Sequence, residues 1–284
     1  MRIGAFQFAV SGEISQNLAK IKAATIRAAS EGVRLLAFPE CALTGYPPRD
    51  VPASSEVDFA GLADAHEELR RLADRWNIHL ILGAMTQNEQ GIRNTALMLR
   101  PGMPPLYYHK RALWGWDRDN FVPGDEPGIL EIDGLRVGVR ICFEVRFPEY
   151  FRELYRQGTD LNVILFYDVA DGDGAERYDL IRGHIRTRAV ENVCYTLSVN
   201  TIHPFQSAPT MLADRSGRVL CEAERNKEEL LLFDFLPEPL DFGERGRKET
   251  SDSIVLVCQE NRPFDIREGA VARRRLREKA GAEP

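Results

Sequence analysis

No two of the five cysteines form a C-x-x-C pair; Cys41, Cys142, Cys194, Cys221 and Cys258 are odd in number and far apart. This spacing argues against a zinc knot or a disulfide framework. No stretch approaches the roughly 20 consecutive apolar residues that a membrane-spanning helix needs. Met1-Arg2-Ile3-Gly4-Ala5-Phe6-Gln7-Phe8 opens directly as a strand, without a charged leader, an apolar core segment and a small-residue cleavage site. A reducing, cytoplasmic setting is therefore expected. Excess positive charge is missing as well, since the net charge is −6. That balance disfavours nucleic acid or an anionic membrane as the main partner. Internal repeats and low-complexity segments are absent. Asp171-Gly172-Asp173-Gly174 lacks the spaced ligands and closing glutamate of a calcium loop, so it reads as a turn and no metal is expected. What is present, over 284 residues, is 44% hydrophobic and 28% charged sequence, the balance of a soluble protein able to bury one large core.

The patterning alternates strands with amphipathic helices. Ile3 to Val10 reads as a strand, followed by a helix to Glu31 that Gly32 closes. Val33 to Phe38 is a short apolar run that suits a buried strand and stops at Pro39-Glu40. Phe59 to Trp76 carries Leu62, Ala65, Leu69, Leu72 and Trp76 on one helical face. Three closely spaced strands follow, around His79 to Met85, Asn94 to Leu99 and Leu106 to Lys110. Asp133-Gly134 is a tight-turn pair that folds Gly128 to Ile132 against Leu135 to Ile141. A helix from Glu149 to Gln157, a buried strand at Leu161 to Phe166, a helix from Tyr178 to Asn192 and a strand from Val193 to Val199 come next. A hairpin around Asp214 to Gly217 and a strand from Glu229 to Phe235 complete the pattern, and the remainder has little apolar core of its own. The class is α/β with mixed strand pairing.

Three chemically useful residues each end a strand: Glu40, Lys110 and Cys142. Each has an ordinary explanation, as a solvated loop carboxylate, a solvated strand cap and core filler respectively. Their chemistry is nonetheless complementary if the strand ends share one sheet edge. A carboxylate takes a thiol proton, the thiolate attacks a carbonyl or nitrile carbon, and an ammonium stabilises the oxyanion. None of these steps needs a metal or an organic cofactor. The loop after Lys110, Trp114-Gly115-Trp116-Asp117, is too aromatic for an ordinary solvated loop and suits a pocket wall.

Taken together, Phe38-Pro39-Glu40, His109-Lys110 with Phe121-Val122-Pro123-Gly124-Asp125, and Ile141-Cys142-Phe143-Glu144-Val145-Arg146-Phe147-Pro148-Glu149 resemble the nitrilase superfamily of carbon–nitrogen hydrolases. Arg186-Thr187-Arg188-Ala189-Val190-Glu191-Asn192 and the strand to Asn200 are similar to later segments of that family. The resemblance covers residues 1–260 and implies a four-layer α-β-β-α sandwich; 261–284, polar and with little core, reads as a tail that packs on a neighbouring subunit or is partly disordered. It implies subunits that pair helix against helix, as a homodimer or higher homo-oligomer. It also implies a triad of Glu40 as base, Lys110 as oxyanion stabiliser and Cys142 as nucleophile, with the Phe143 amide as second oxyanion donor.

Family members commonly carry a second glutamate where this chain has Asp117, one methylene shorter, with Asp119 nearby. The substrate side of the pocket is expected from Trp114, Trp116, Arg146 and Tyr167, and Arg146, Arg186 or Arg188 would suit a substrate carboxylate. The activity implied is hydrolysis of a small carboxamide through a cysteine thioester with release of ammonia. N-carbamoyl amide hydrolysis is the neighbouring alternative; a binding or scaffold protein that has lost catalysis, and an ammonia-donating glutaminase module, are the others.

Overall fold

The computed structural model describes residues 1–259. Its first sheet has the order β14-β1-β2-β3-β4-β5. β1 (Arg2–Gln7), β2 (Val33–Ala37) and β3 (His79–Asn88) run parallel, while β4 (Gly91–Arg100), β5 (Met103–His109) and β14 (Glu229–Asp234) pair antiparallel. The second sheet has the order β13-β12-β10-β8-β7-β6. β7 (Leu135–Ile141), β8 (Leu161–Phe166) and β10 (Tyr195–Asn200) are its parallel centre, flanked by β6 (Ile129–Ile132), β12 (Met211–Ala213) and β13 (Val219–Glu222). Two short strands, β9 (Val169–Ala170) and β11 (Phe205–Gln206), pair beside them.

Alternation along the strands decides which side chain joins which layer. Ile3, Ala5, Leu35, Ala37 and Ile81 face Val137, Val139 and Ile141 in one apolar cluster between the sheets. The opposite face of the first sheet receives α1 (Ile14–Ser30) and α2 (Phe59–Trp76), whose Ile21, Ala24, Leu62 and Leu69 meet Leu36, Phe38 and Leu80. The second sheet's outer face receives α4 (Pro148–Arg156) and α5 (Ala175–Asn192) through Phe151, Leu154, Ile181 and Ile185. The result is a four-layer α-β-β-α sandwich, the architecture expected from the sequence.

Local chemistry sets the element ends. Asp58 accepts from the Ala60 and Gly61 amides and starts α2, and Asn77 closes it in the left-handed region. Pro148 occupies the first turn of α4, where its missing N–H costs nothing. Asp133 and Gly134 both adopt positive φ in the β6–β7 turn.

One segment departs from the sequence expectation. Residues after Phe235 read as having little core, yet Phe242–Gln259 forms a helix, α6. Polar contacts hold it: Asp241 and Glu244 cap each other's amides, Arg215 pairs with Glu244 at 3.4 Å, and the Tyr155 hydroxyl donates to the Lys248 carbonyl at 3.2 Å. The tail expected at 261–284 lies outside the described residues. No helix among the described residues is long and apolar enough to cross a membrane.

Candidate active site

β2 ends in Phe38-Pro39-Glu40, and the chain then turns sharply at Cys41, whose φ is 49°. Gly83 of β3 makes the turn possible: a Cβ there would lie 2.2 Å from the Cys41 nitrogen and 2.4 Å from the Pro39 oxygen. The turn aims Glu40 at the second sheet. Its Oε2 accepts from the Tyr167 backbone N–H at 2.8 Å, and its own N–H donates to the Phe166 carbonyl at 3.2 Å. Oε1 accepts from Asn94 Nδ2 and from Lys110 Nζ, both at 2.7 Å.

Lys110 leaves β5 with its N–H donating to the Asn94 carbonyl at 2.8 Å, and its ammonium is 2% exposed. It lies between Glu40 and Asp117 Oδ2, the latter at 2.8 Å. Asp117 belongs to the one-turn helix α3 (Asp117–Asn120), is itself buried, and accepts from the Tyr46 hydroxyl at 2.7 Å. Asp119 is exposed, so Asp117 is the acid that meets the lysine.

Cys142 follows β7 and opens a 3-10 turn, Cys142–Arg146, with φ 45°; α4 begins only at Pro148. The thiol therefore sits on a strained strand-to-turn junction, a conformation that costs a non-glycine residue about 1–3 kcal/mol.

Burial raises the Glu40 carboxyl above its ordinary value, against the lowering pull of Lys110. Burial also pushes the Cys142 thiol well up, reinforced by Glu40 and opposed by Lys110. For Lys110, burial pulls downward, but Glu40 and Asp117 outweigh it and hold the ammonium well above its usual range. The site thus holds a fixed cation, a carboxyl primed to accept a proton and a thiol that stays protonated until a base acts on it.

A cavity of about 790 Å³ opens over Cys142, Lys110 and Asp117. Trp114, Trp116, Arg146 and Tyr167 all line it, as does Phe143. Trp114 stacks on Phe143 at 6.1 Å, and the Arg146 guanidinium lies 5.9 Å from the Phe143 ring. Tyr167 contributes its ring, stacked on Tyr46 at 4.8 Å, and its backbone N–H to Glu40, whereas its hydroxyl is bonded to Asp50.

Arg186 and Arg188 do not reach the cavity. Arg186 donates to the Gly217 carbonyl at 2.7 Å, and Arg188 is buried against the Val145 carbonyl at 2.8 Å and paired with Glu191. Two arginines that sequence reasoning passed over stand in the wall instead. Arg49 pairs with Asp171 at 2.8 Å, and Arg177 chelates Asp168 at 2.7 and 2.9 Å. Arg177 follows a turn-rich stretch and opens no recognisable motif, but Arg49 lies in the rigid Tyr46-Pro47-Pro48 loop, whose composition was the available signal.

A second cavity of about 780 Å³, between α1 and α2, is lined by Glu13, Glu56, Asp58 and Asp64 and is remote from Cys142. Among the described residues, no group of three or more His, Cys, Asp or Glu side chains is arranged to hold a metal ion.

Comparison with known proteins shows the family. The family model described as carbon-nitrogen hydrolase matches residues 2–238. A protein of Mycobacterium tuberculosis named only as a hydrolase is 30% identical over 215 residues, covering 72% of this chain and 73% of its own. The 2-oxoglutaramate amidase of Bacillus subtilis is 26% identical over 234 residues, covering 79% of this chain and 87% of its own. Among solved structures, an amidase from Nesterenkonia sp. AN1 superposes with a TM-score of 0.73 at 25% identity, over 83% of this chain and 90% of that one. In that structure, a variant carries the acetamide moiety of fluoroacetamide covalently added at its active-site cysteine.

Proposed function

The chain belongs to the carbon–nitrogen hydrolase family, in its amidase-like branch, and from that premise we propose that it is a cysteine-dependent hydrolase of small carboxamides that releases ammonia. The observation that carries the reading is the placement of Lys110 Nζ, 2.7 Å from Glu40 and 2.8 Å from Asp117, beneath the cavity that Cys142 lines.

Glu40 takes the proton from the Cys142 thiol as the sulfur attacks the amide carbonyl carbon, and a C–S bond forms. The negative charge that develops on the carbonyl oxygen is stabilised by the Lys110 ammonium and the Phe143 backbone N–H. Collapse of this intermediate breaks the C–N bond, and the proton held on Glu40 passes to the leaving nitrogen, which departs as ammonia. A water molecule, deprotonated by Glu40, then attacks the thioester carbonyl and returns the acid and the free thiol. Asp117 keeps the lysine ionised and, through Tyr46, anchored. Its shorter side chain does this because α3 lies close to the lysine.

The acyl group is read as carrying an acid, as in an ω-amide of a dicarboxylic acid. Arg146 makes no ion pair among the described residues and lines the cavity, as does Arg177 of α5, which is paired with Asp168. The relative from Bacillus subtilis bears the name of such an activity. The same reading includes a homodimer in a reducing, cytoplasmic compartment.

Ammonia release from a panel of neutral and acidic amides, with the Cys142→Ala variant as control and mass spectrometry for an acyl adduct at Cys142, tests it. An adduct and turnover on acidic amides above neutral ones of equal length are expected. Neither ammonia nor adduct across the panel would overturn the reading.

A further inference from the structure

Glu144 is fully buried, lies two residues from the nucleophile, and takes no part in the proton transfers above. Its hydrogen bonds are accepted from neutral donors. Oε2 accepts from the Ile141 backbone N–H at 2.7 Å. Oε1 accepts from the Arg111 backbone N–H at 2.7 Å, from the Tyr108 hydroxyl at 2.8 Å, and at a longer 3.4 Å from the Ala112 N–H. Ile141 immediately precedes Cys142, and Arg111 immediately follows Lys110. One carboxylate thus bonds to the neighbours of both residues.

The two residues come from different sheets, Lys110 from the end of β5 and Cys142 from the end of β7. Most of the contact between the sheets is an apolar cluster, with Glu40 making a separate polar tie to Phe166 and Tyr167. Apolar contact is non-directional and tolerates sliding, whereas hydrogen bonds of 2.7–2.8 Å fix separation and angle. Tyr108 is fully buried, with the Arg140 guanidinium over its ring at 5.1 Å, so the anchor on the lysine side is rigid. The bond to Ile141 closes the turn that holds Cys142 at positive φ.

We propose that Glu144 is a positioning residue that sets the distance between the Lys110 ammonium and the Cys142 sulfur across the sheet interface. The inference rests on the thioester reading, in which both groups must meet one carbonyl. A carboxylate suits this task because it only accepts, and every group it touches donates. Replacing one oxygen with an amide NH₂ sets a donor against either the Ile141 or the Arg111 N–H.

The test compares Glu144→Gln, Glu144→Asp and Tyr108→Phe with the wild type in steady-state kinetics on one amide, normalised to folded protein, with thermal unfolding in parallel. The glutamine variant is expected to lose about 10²-fold in kcat with KM within about threefold, the signature of misplaced oxyanion stabilisation. The aspartate variant, which keeps two acceptor oxygens, is expected to recover about tenfold of that loss, and Tyr108→Phe to lose about three- to tenfold in kcat. A lowered melting temperature with wild-type kcat per folded molecule, or an aspartate variant no better than the glutamine one, would overturn the proposal. If the glutamine variant does not fold, Tyr108→Phe decides: unchanged kcat overturns, and a kcat loss at constant KM supports. A wild-type enzyme that forms no acyl adduct at Cys142 would instead remove the thioester reading itself.

Discussion

Each sheet ends one of its parallel strands near a cysteine held in the left-handed region, Cys41 after β2 with φ 49° and Cys142 after β7 with φ 45°. Burial pushes both thiols well above their ordinary range, and both feel Glu40 and Lys110. Cys41 is nevertheless 0% exposed and packed into the apolar cluster under α1 and α2, whereas Cys142 lines a cavity. The two ends divide the labour. The bend at Cys41 delivers the carboxylate of the preceding residue across to the second sheet, and the bend at Cys142 presents the sulfur itself. Strain and pKa are shared by the two sites, so access and neighbours, and not the thiol's intrinsic state, separate a structural cysteine from a candidate nucleophile.

Alanine substitutions break the comparison most sharply. Cys142→Ala is expected to abolish turnover, a loss on the order of 10⁶-fold in kcat where a nucleophile is removed. Cys41→Ala is expected to keep kcat near wild type and to lose about 1 kcal/mol of stability in urea titration. Equal losses of activity in the two variants would erase the distinction.

Glu40→Gln is expected to cost about 10²- to 10⁴-fold in kcat. The sign of the pH dependence follows from the raised carboxyl. Because Glu40 must be ionised to accept the proton, kcat/KM should rise with pH through an apparent pKa above the usual carboxylate value of about 4.3. In stability the same raised pKa acts oppositely. The protonated form is favoured in the folded state, so its contribution is complete below the unfolded pKa and is lost as pH rises through the folded one. A pH–rate profile of the wild type that lacks this acidic limb would rule Glu40 out as the base.

Gly83→Ala probes the Cys41 bend alone. The added methyl meets backbone atoms at 2.2–2.5 Å, with no flexible side chain to yield, so a loss of about 2–4 kcal/mol in urea titration is expected. A near-neutral result would mean that β3 does not hold the loop.

Alkylation gives the smallest and most direct contrast. Native protein treated with iodoacetamide should label Cys142, faster as pH rises past the usual thiol value of about 8.5, and leave Cys41 unlabelled until the protein unfolds. Peptide mapping by mass spectrometry reads it, and labelling of Cys41 at the native rate would contradict its burial.

Much of the scaffold was legible as local pattern. The helix at Phe59–Trp76, the strand at Leu161–Phe166 and the Asp133-Gly134 hairpin occur where periodicity and turn chemistry put them. α6 was not legible, because its first turns are rich in charge and glycine and are held by ion pairs and a tyrosine hydroxyl. Arg186 and Arg188 sat in a promising segment but face Gly217 and Val145, while Arg177, two to three turns earlier on the same helix, faces the cavity. A helix of mixed burial gives no sequence signal for which polar residue looks inward. Glu144 carried no local signal of its role, because its donors come from β5, from the two residues after Lys110 and from the end of β7.

By itself the sequence determined the α/β class, the strands on which Glu40, Lys110 and Cys142 end, and the chemistry that those three side chains share. Those properties depend on residue type and on neighbours a few positions away. Only the tertiary structure decided that Lys110 lies between two carboxylates, that Asp117 rather than Asp119 is the second, and that one thiol faces a cavity while its counterpart is sealed. Each of these depends on how two sheets stack and in what register. Contacts between residues far apart in the chain are set by packing of the whole core, which no local window of sequence contains.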